Sequence, residues 1–140
     1  MVYNAKYYLI FRRATMLTQS LHNQNSILGA ALAGTSARVD VIMNNMANSD
    51  VPGFRAREVD FETALKSAIE NFRRTGSLDL SRVRPTMRNQ APGMAFRMDG
   101  SNVDMEREMI QLYIHTTRYE VITDSIINNS RRLNAVIQGR

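Results

Sequence analysis

Two long stretches of the chain carry apolar residues at alternating spacings of four and three. The first runs from about Leu17 to Asn48 and the second from about Val103 to Val136. This spacing keeps the side chains on one helical face and is typical of helices that pair as coiled coils. The first stripe consists of Leu21, Asn25, Leu28, Leu32, Thr35, Val39, Ile42 and Met46. The second consists of Met105, Met109, Leu112, Thr116, Tyr119, Thr123, Ile126, Ser130, Leu133 and Ile137.

The pattern predicts a mainly α fold in which the two terminal helices fold back on each other as an antiparallel coiled coil. Each helix would be about 45–50 Å long at 1.5 Å per residue. Our candidates for packing contacts are ten of the apolar members of the stripes, namely Leu28, Leu32, Val39, Ile42, Met46, Met109, Leu112, Tyr119, Ile126 and Leu133.

A turn ends the first helix between Asn48 and Phe54. Pro52 has a fixed φ and disfavours helix at Val51, while Gly53 permits a positive φ. Pro52 and Gly53 therefore suit the two central positions of a type II turn.

The middle of the chain, residues 55–100, is less regular. A helix is predicted from Val59 to Arg74, with one apolar face formed by Phe61, Leu65, Ala68, Ile69 and Phe72. After Gly76 the periodicity is lost, and prolines and arginines mark an irregular segment with room for short strands near Leu78–Leu80 and Met94–Met98. We divide the chain into an extension (1–16), an N-terminal helix with its turn (17–54), this middle segment (55–100) and a C-terminal helix (101–140), all in one structural domain.

The start of the second helix is marked by Asp99 and Gly100, which form a turn signal. Ser101 or Asn102 can cap the helix, and the carboxylates of Asp104, Glu106 and Glu108 suit the positive end of its dipole.

Two helices alone cannot cover all of the apolar surface that the sequence provides. Residues partly off the stripes are Val41, Met43, Ile110, Ile114, Val121, Ile122 and Ile127. They predict contacts with further subunits, and Gly29 and Gly34 would let another helix approach closely. The alternative is a compact three-helix bundle in which the helix from Val59 covers them.

The net charge of +5 falls within Asn71–Met98, which contains six arginines and only one acid, Asp79. A basic segment fits either nucleic acid or an acidic neighbouring protein. Because the sequence has no helix-turn-helix, zinc-finger or aromatic RNA-binding motif, we expect an acidic neighbour and no nucleic acid.

Motifs of catalysis and of cofactor binding are missing from the sequence. There is no cysteine, and His22 and His115 are far apart without metal-ligand spacing. Phosphate loops, dinucleotide fingerprints and nucleophile elbows do not occur. We therefore expect no catalytic residues, cofactor or metal. No uninterrupted apolar run reaches the ~18 residues of a membrane span, and the patch Tyr7–Phe11 is shorter than a signal-peptide core of ~7–15 residues. Hence we expect neither membrane insertion nor a cleaved signal.

Three blocks of the sequence resemble bacterial flagellar axial proteins. Asn44–Phe54 is similar to the signature N-I-A-N-x-x-T-x-G-[FY], with matches at Asn45, Ala47, Asn48, Gly53 and Phe54 and with Pro52 inside the same turn. Residues 55–61 resemble K-A-R-D-I-D-F. Residues 99–109 resemble D-G-N-N-V-D-x-x-x-E-M, matched at Asp99, Gly100, Asn102, Asp104 and beyond, and Arg118-Tyr119 follows at the expected distance.

The order of these blocks and the short middle segment are similar to the proximal rod family, the FlgB type, with the FlgC type as the alternative. The resemblance implies a structural subunit that polymerises through its terminal helices into the axial drive shaft. It implies homo- and hetero-oligomeric contacts with other rod subunits and with the protein that joins the rod to the inner-membrane ring. It further implies passage through the flagellar type III export apparatus to the periplasmic basal body.

The first fifteen residues lie outside this resemblance. Members of the family commonly open near a position comparable to Met16, with a motif like Met16–Leu21. We expect residues 1–15 to be either a lineage-specific extension or the result of an upstream start site.

Overall fold

The computed structural model describes residues 3–90 and 100–138. Its elements are, in chain order, α1 (Tyr3–Ala47), β1 (Arg57–Asp60), α2 (Glu62–Thr75), β2 (Thr86–Asn89) and α3 (Met105–Gln138). The long helices α1 and α3 pack together, and the short elements lie between them in sequence. This architecture confirms the predicted mainly α fold with paired terminal helices.

The first helix begins at Tyr3, well before the predicted start near Leu17. Residues 3–16 contain neither proline nor glycine, so nothing in the sequence breaks the helix there. Its stretch Thr18–Ala47 is long and apolar enough to cross a membrane by length and composition. The search for an uninterrupted apolar run did not detect this stretch as a candidate membrane span. Polar and small residues interrupt it, although it is apolar on average.

A two-stranded antiparallel sheet replaces the predicted beginning of the middle helix, and we call it the hairpin although its two strands are connected through α2 and residues 76–85. β1 and β2 pair antiparallel, with Arg57 opposite Asn89 and Asp60 opposite Thr86. Val59, the predicted helix start, lies in β1 and is buried. Its burial against α1 overrides the local helical pattern. Residues 78–80 form no strand, and Met94–Met98 lie outside the described residues.

The middle helix α2 has a clear end. Gly76 adopts a left-handed conformation (φ 73°), and its N–H donates to the carbonyl of Phe72 at 2.8 Å. This is the usual role of glycine after a helix, because the positive φ carries no Cβ penalty.

The main apolar cluster lies between α1 and the middle segment. Val41, Val59 and Phe61 form its centre, with Ala37 and Leu65 packed against them. Val41 is therefore buried within the subunit, and the prediction that it contacts a further subunit is wrong. By contrast, Met43, Ile110, Val121 and Ile127 remain exposed, so the compact three-helix bundle does not form.

Candidate assembly site

The signature turn has the geometry that the sequence predicts. The N–H of Phe54 donates to the carbonyl of Val51 at 3.1 Å, with Pro52 and Gly53 (φ 71°) between them. The Asn48 side chain donates to the carbonyl of Asn44 at 2.7 Å and so satisfies an acceptor at the end of α1. These contacts turn the chain from α1 toward β1.

Asn45 connects α1 to the hairpin and to α3. Its side-chain amide donates to the carbonyl of Arg57 at 2.8 Å, and its oxygen accepts the N–H of the same residue at 2.9 Å. The amide also lies 3.4 Å from Oε2 of Glu108. Asn45 is 1% exposed. The buried amide therefore fixes the relative position of α1, β1 and α3, because a buried polar group that loses its hydrogen-bond partner destabilises the fold.

The segment before α3 completes the junction. Asn102 accepts the N–H of Ala56 through its side chain at 2.7 Å, and its own N–H donates to the carbonyl of Phe54 at 3.4 Å. Gly100 has a positive φ of 82°. Asp99 lies outside the described residues.

The helix cap is Asp104, not the predicted Ser101 or Asn102. The Asp104 carboxylate accepts a hydrogen bond from the backbone N–H of Arg107 at 3.1 Å. Arg107 is the third residue of α3, which is the usual donor to a residue that caps a helix start. Ser101 and Asn102 are instead used in contacts with the signature turn and with Ala56. The sequence indicated that residues 101–104 contain the helix cap, but it could not show which backbone group each side chain bonds.

A second junction joins α1 to the start of α2. The Phe61 ring lies over Gly34, and the guanidinium of Arg38 lies 5.2 Å from the centre of that ring. Arg38 also donates to both carboxylate oxygens of Glu62, one at 2.7 Å, and to the carbonyl of Val59. Gly34 therefore accommodates an aromatic ring of the same chain, and the expected close approach of another helix does not occur there. Although burial alone would raise the pKa of Glu62, its bonds to Arg38 hold that pKa below the usual value.

The helix pair is aligned by two polar contacts. Asn129 donates to Asn25 at 3.1 Å near one end, and Asn45 reaches Glu108 near the other. Counting along both helices from the asparagine pair places Leu28 opposite Ile126 and Ile42 opposite Leu112.

The stripe predicted for α1 faces inward, whereas that of α3 is displaced at alternate positions. Every member of the α1 stripe is buried or half-buried. On α3, Leu112, Ile126 and Leu133 are half-buried as predicted and Tyr119 is 39% exposed. Three of the intervening inward positions are Glu108, His115 and Asn129, each one residue before a predicted but exposed residue. At the fourth, the predicted Thr123 and its neighbour Ile122 are both half-buried. The three displaced positions could not be recognised from hydrophobicity, because their residues are polar.

The opposite side of α3 is unusually apolar for an exposed surface. We define the outer α3 face as Met109, Ile110, Tyr113, Val121 and Ile127. Tyr113 is 76% exposed and Val121 is 59% exposed. Exposed apolar side chains that recur along one side of a helix are typical of a surface that another protein covers.

Comparison with known proteins identifies the family. A family model described as "Flagella basal body rod protein" matches residues 27–55. The chain is 32% identical to the flagellar basal body rod protein FlgB of Proteus mirabilis over 139 residues, which cover 87% of this chain and 99% of that protein. The FlgB proteins of Yersinia enterocolitica and Escherichia coli K12 are 32% and 26% identical over 121 residues, or 77% of this chain and 88% of each relative.

The chain belongs to the FlgB family of flagellar basal body rod proteins. It is accordingly a structural subunit of the flagellar rod, and other rod components are its partners. The FlgC-type and nucleic-acid alternatives are not favoured. The matched residues 27–55 contain the Gly34 contact, Asn45 and the whole signature turn.

A polar cleft of about 160 Å³ lies between the helix pair of this FlgB-family chain and its hairpin, beside their direct contacts. Two titratable residues of α3 line this cleft, Glu108 and His115, and each is 5% exposed. Three arginines also line it, namely Arg38, Arg57 and Arg107. Burial raises the pKa of Glu108, and the Asn45 hydrogen bond only partly offsets this effect. Burial also lowers the pKa of His115, and the charges of Arg38 and Arg118 act in the same direction. From the sequence, we expected Glu108 only to interact with the positive end of the helix dipole, and its burial was not predicted.

The arginines of the middle segment are exposed. Arg88 pairs with Glu58 across the hairpin at 2.9 Å, and Arg74 donates to Asn71 at 3.1 Å. Arg97 lies outside the described residues. Among the residues described, no group of His, Asp and Glu side chains has the geometry of a metal site.

Proposed function

We propose that the subunit polymerises through the outer α3 face, while the inward stripes hold its own two helices together. The observation that supports this division is the exposure of Ile110, Tyr113 and Val121 on the side of α3 opposite the Asn25–Asn129 contact. Burying such side chains contributes roughly 1.5–3 kcal/mol each, and the same contact is repeated in every copy of a helical assembly.

The proposal separates two groups of the packing residues predicted from sequence. Leu28, Leu32, Val39, Ile42 and Met46 on α1 act within the subunit, with Leu112, Ile126 and Leu133 on α3. Met109 belongs to the outer face, and Tyr119 lies at its border. The signature turn and the Asn102–Ala56 bond orient the hairpin on the helix pair.

The relatives are structural proteins, and we extend that role to a chain without catalytic residues, cofactor or metal. As specific partners we propose the protein that joins the rod to the inner-membrane ring and the export apparatus. We further propose that the subunit resides in the periplasmic part of the basal body and reaches it without a cleaved signal. Although Thr18–Ala47 meets the length and composition of a membrane span, we assign it to protein packing. Asn25, Thr35 and Asn45 face α3 or the hairpin, where they are at least half-buried.

Substitutions at the outer face test this division. Ile110→Ser with Val121→Ser should leave secretion and the unfolding of the monomer unchanged, but should remove the subunit from purified basal bodies and abolish motility. Met87→Ser is the control, because Met87 is 63% exposed on the hairpin, away from α3. Normal rods with the double variant would contradict the proposal. Equal loss of secretion would show that export, not packing, recognises this face.

A further inference from the structure

We infer that the outer α3 face of one subunit docks into an arginine-lined groove on the middle segment of a second copy of this chain. The inference rests on the proposed role of the outer α3 face, and it names the surface that covers that face. It also gives the arginine-rich segment the acidic neighbour that its charge predicts. Because one chain carries both surfaces, the same contact can repeat from copy to copy.

The groove lies between α2 and the hairpin and has a volume of about 400 Å³. Phe61 and Ala64 contribute apolar surface to it, and Ser67 is one of several small polar residues in its lining. The same groove is lined by three arginines, namely Arg82, Arg84 and Arg88. A concave surface of this composition favours a partner that combines apolar side chains with negative charge.

Two of the three arginines have no partner for their charge within the subunit. Arg88 pairs with Glu58 across the hairpin at 2.9 Å. The side chains of Arg82 and Arg84 form neither an ion pair nor a hydrogen bond with any residue that the structure describes. Asp60 also lines the groove but pairs with neither of them. Two guanidinium groups are therefore available to carboxylates of another molecule.

The outer α3 face carries the complementary charge. At 3.6 residues per turn, Glu106, Glu120 and Asp124 fall on the same side of α3 as the apolar residues of that face. All three acids are exposed, and none forms an ion pair with a described residue. The arginines in this part of α3, Arg107 and Arg118, fall on its flank. The face is thus apolar and acidic, whereas the groove is apolar and basic.

One subunit cannot make this contact with itself. The groove is lined by residues between 60 and 67 and between 82 and 88, and no described residue of α3 takes part. α2 packs on α1, and the outer α3 face points away from α1. Because the two surfaces differ, the contact between copies is heterologous. Heterologous contacts that do not close into a ring build helical assemblies, and this geometry suits a rod subunit.

Charge reversal on both surfaces tests the contact in assembled rods. Arg82→Glu/Arg84→Glu should leave secretion unchanged and lower the amount of the subunit in purified basal bodies at least about tenfold, because like charges then face each other. Glu120→Lys/Asp124→Lys should have the same effect. A chain with all four changes has opposite charges again, so its incorporation should return to near the natural level.

Arg73→Glu/Arg74→Glu is the matched control, because it makes the same charge change at exposed positions outside the groove. This control should assemble normally. Normal incorporation of Arg82→Glu/Arg84→Glu would overturn the inference. Failure of the four changes to restore a secreted subunit to the basal body would also overturn it.

Cross-linking tests the contact without altering any charge, and it decides the matter if a reversal prevents secretion. Ser67 lines the groove, and Thr117 lies between Tyr113 and Val121 on the outer α3 face; both are exposed. In basal bodies, a short bismaleimide should convert Ser67→Cys/Thr117→Cys into a ladder of dimers, trimers and longer chains. Met87→Cys/Thr117→Cys should give no ladder, because Met87 does not line this groove.

The outcomes separate this inference from the proposed function. If Val121→Cys is protected in basal bodies but no ladder forms, another protein covers the outer α3 face, and the inference alone is wrong. A cross-link from position 117 to a different rod protein leads to the same conclusion. If Val121→Cys stays reactive, the proposed function is wrong as well. Ser81→Cys should stay reactive in each case, since Ser81 does not line the groove.

Discussion

Gly34 and Gly29 lie in the same helix, yet alanine should have opposite effects at the two positions. A Cβ on Gly34 would lie 2.5 Å from Cγ of Phe61 and closer still to two other carbons of the ring. At Gly29 nothing lies within 4 Å of the added carbon. The two substitutions have the same intrinsic helix propensity, so their difference isolates the contact with Phe61.

The expected magnitudes follow from packing. Replacing glycine with alanine inside a helix stabilises by up to about 1 kcal/mol, and Gly29→Ala should show this gain. At Gly34 the ring must move to avoid the clash. Phe61 is 6% exposed and lies beneath Arg38, so it has little room. Overpacking typically destabilises by about 1–3 kcal/mol, which equals or exceeds the propensity gain. The two variants should therefore differ by about 1–3 kcal/mol in the free energy of unfolding.

Urea unfolding of the isolated subunit, followed by circular dichroism, measures both values. Removing the ring with Phe61→Ala should make Gly34→Ala less harmful than it is in the natural chain, because all three carbons that the added Cβ would meet are then absent. Equal stabilisation by both alanines would refute this reasoning and would show that Phe61 is free to leave Gly34.

Two further substitutions test the buried polar groups. Asn45→Ala should destabilise the chain by about 1–3 kcal/mol in urea unfolding, because the N–H and carbonyl of Arg57 lose their partners; Asn44→Ala, at an exposed neighbour, should change little, and equal effects would contradict the role of Asn45. The raised pKa of Glu108 means that the folded chain binds its proton more tightly than the unfolded chain. The penalty for ionising Glu108 is thus absent below its usual pKa of 4.5 and fully present above the raised value. Glu108→Gln should therefore stabilise the chain at pH 7 but not at pH 4, whereas Glu106→Gln, at an exposed position of the same helix turn, should not stabilise it at pH 7.

The sequence predicted the helices better than the contacts between them. The α1 stripe could be recognised because six of its eight members are apolar. On α3 the inward positions include Glu108, His115 and Asn129, while apolar Ile110 and Val121 point outward. A pattern of hydrophobicity cannot reveal that the polar residues have partners inside and that the apolar ones face outward.

The hairpin was missed for a related reason. β1 has only four residues, and its pairing depends on the side chain of Asn45 and on burial of Val59 against α1. These are long-range contacts, which a local pattern does not show. The turn at Pro52-Gly53 was predicted correctly, because its geometry is set by the two residues themselves.

We propose that neighbouring subunits in the rod cover the outer α3 face. A single cysteine at Val121, in a chain that otherwise has none, can be labelled with a maleimide in the secreted monomer and in purified basal bodies. A second variant with cysteine at Ser81, exposed in the arginine-rich segment, controls for access of the reagent. We expect rapid labelling at both positions in the monomer and strong protection of residue 121 alone in basal bodies. Undiminished labelling of residue 121 in intact rods would contradict it.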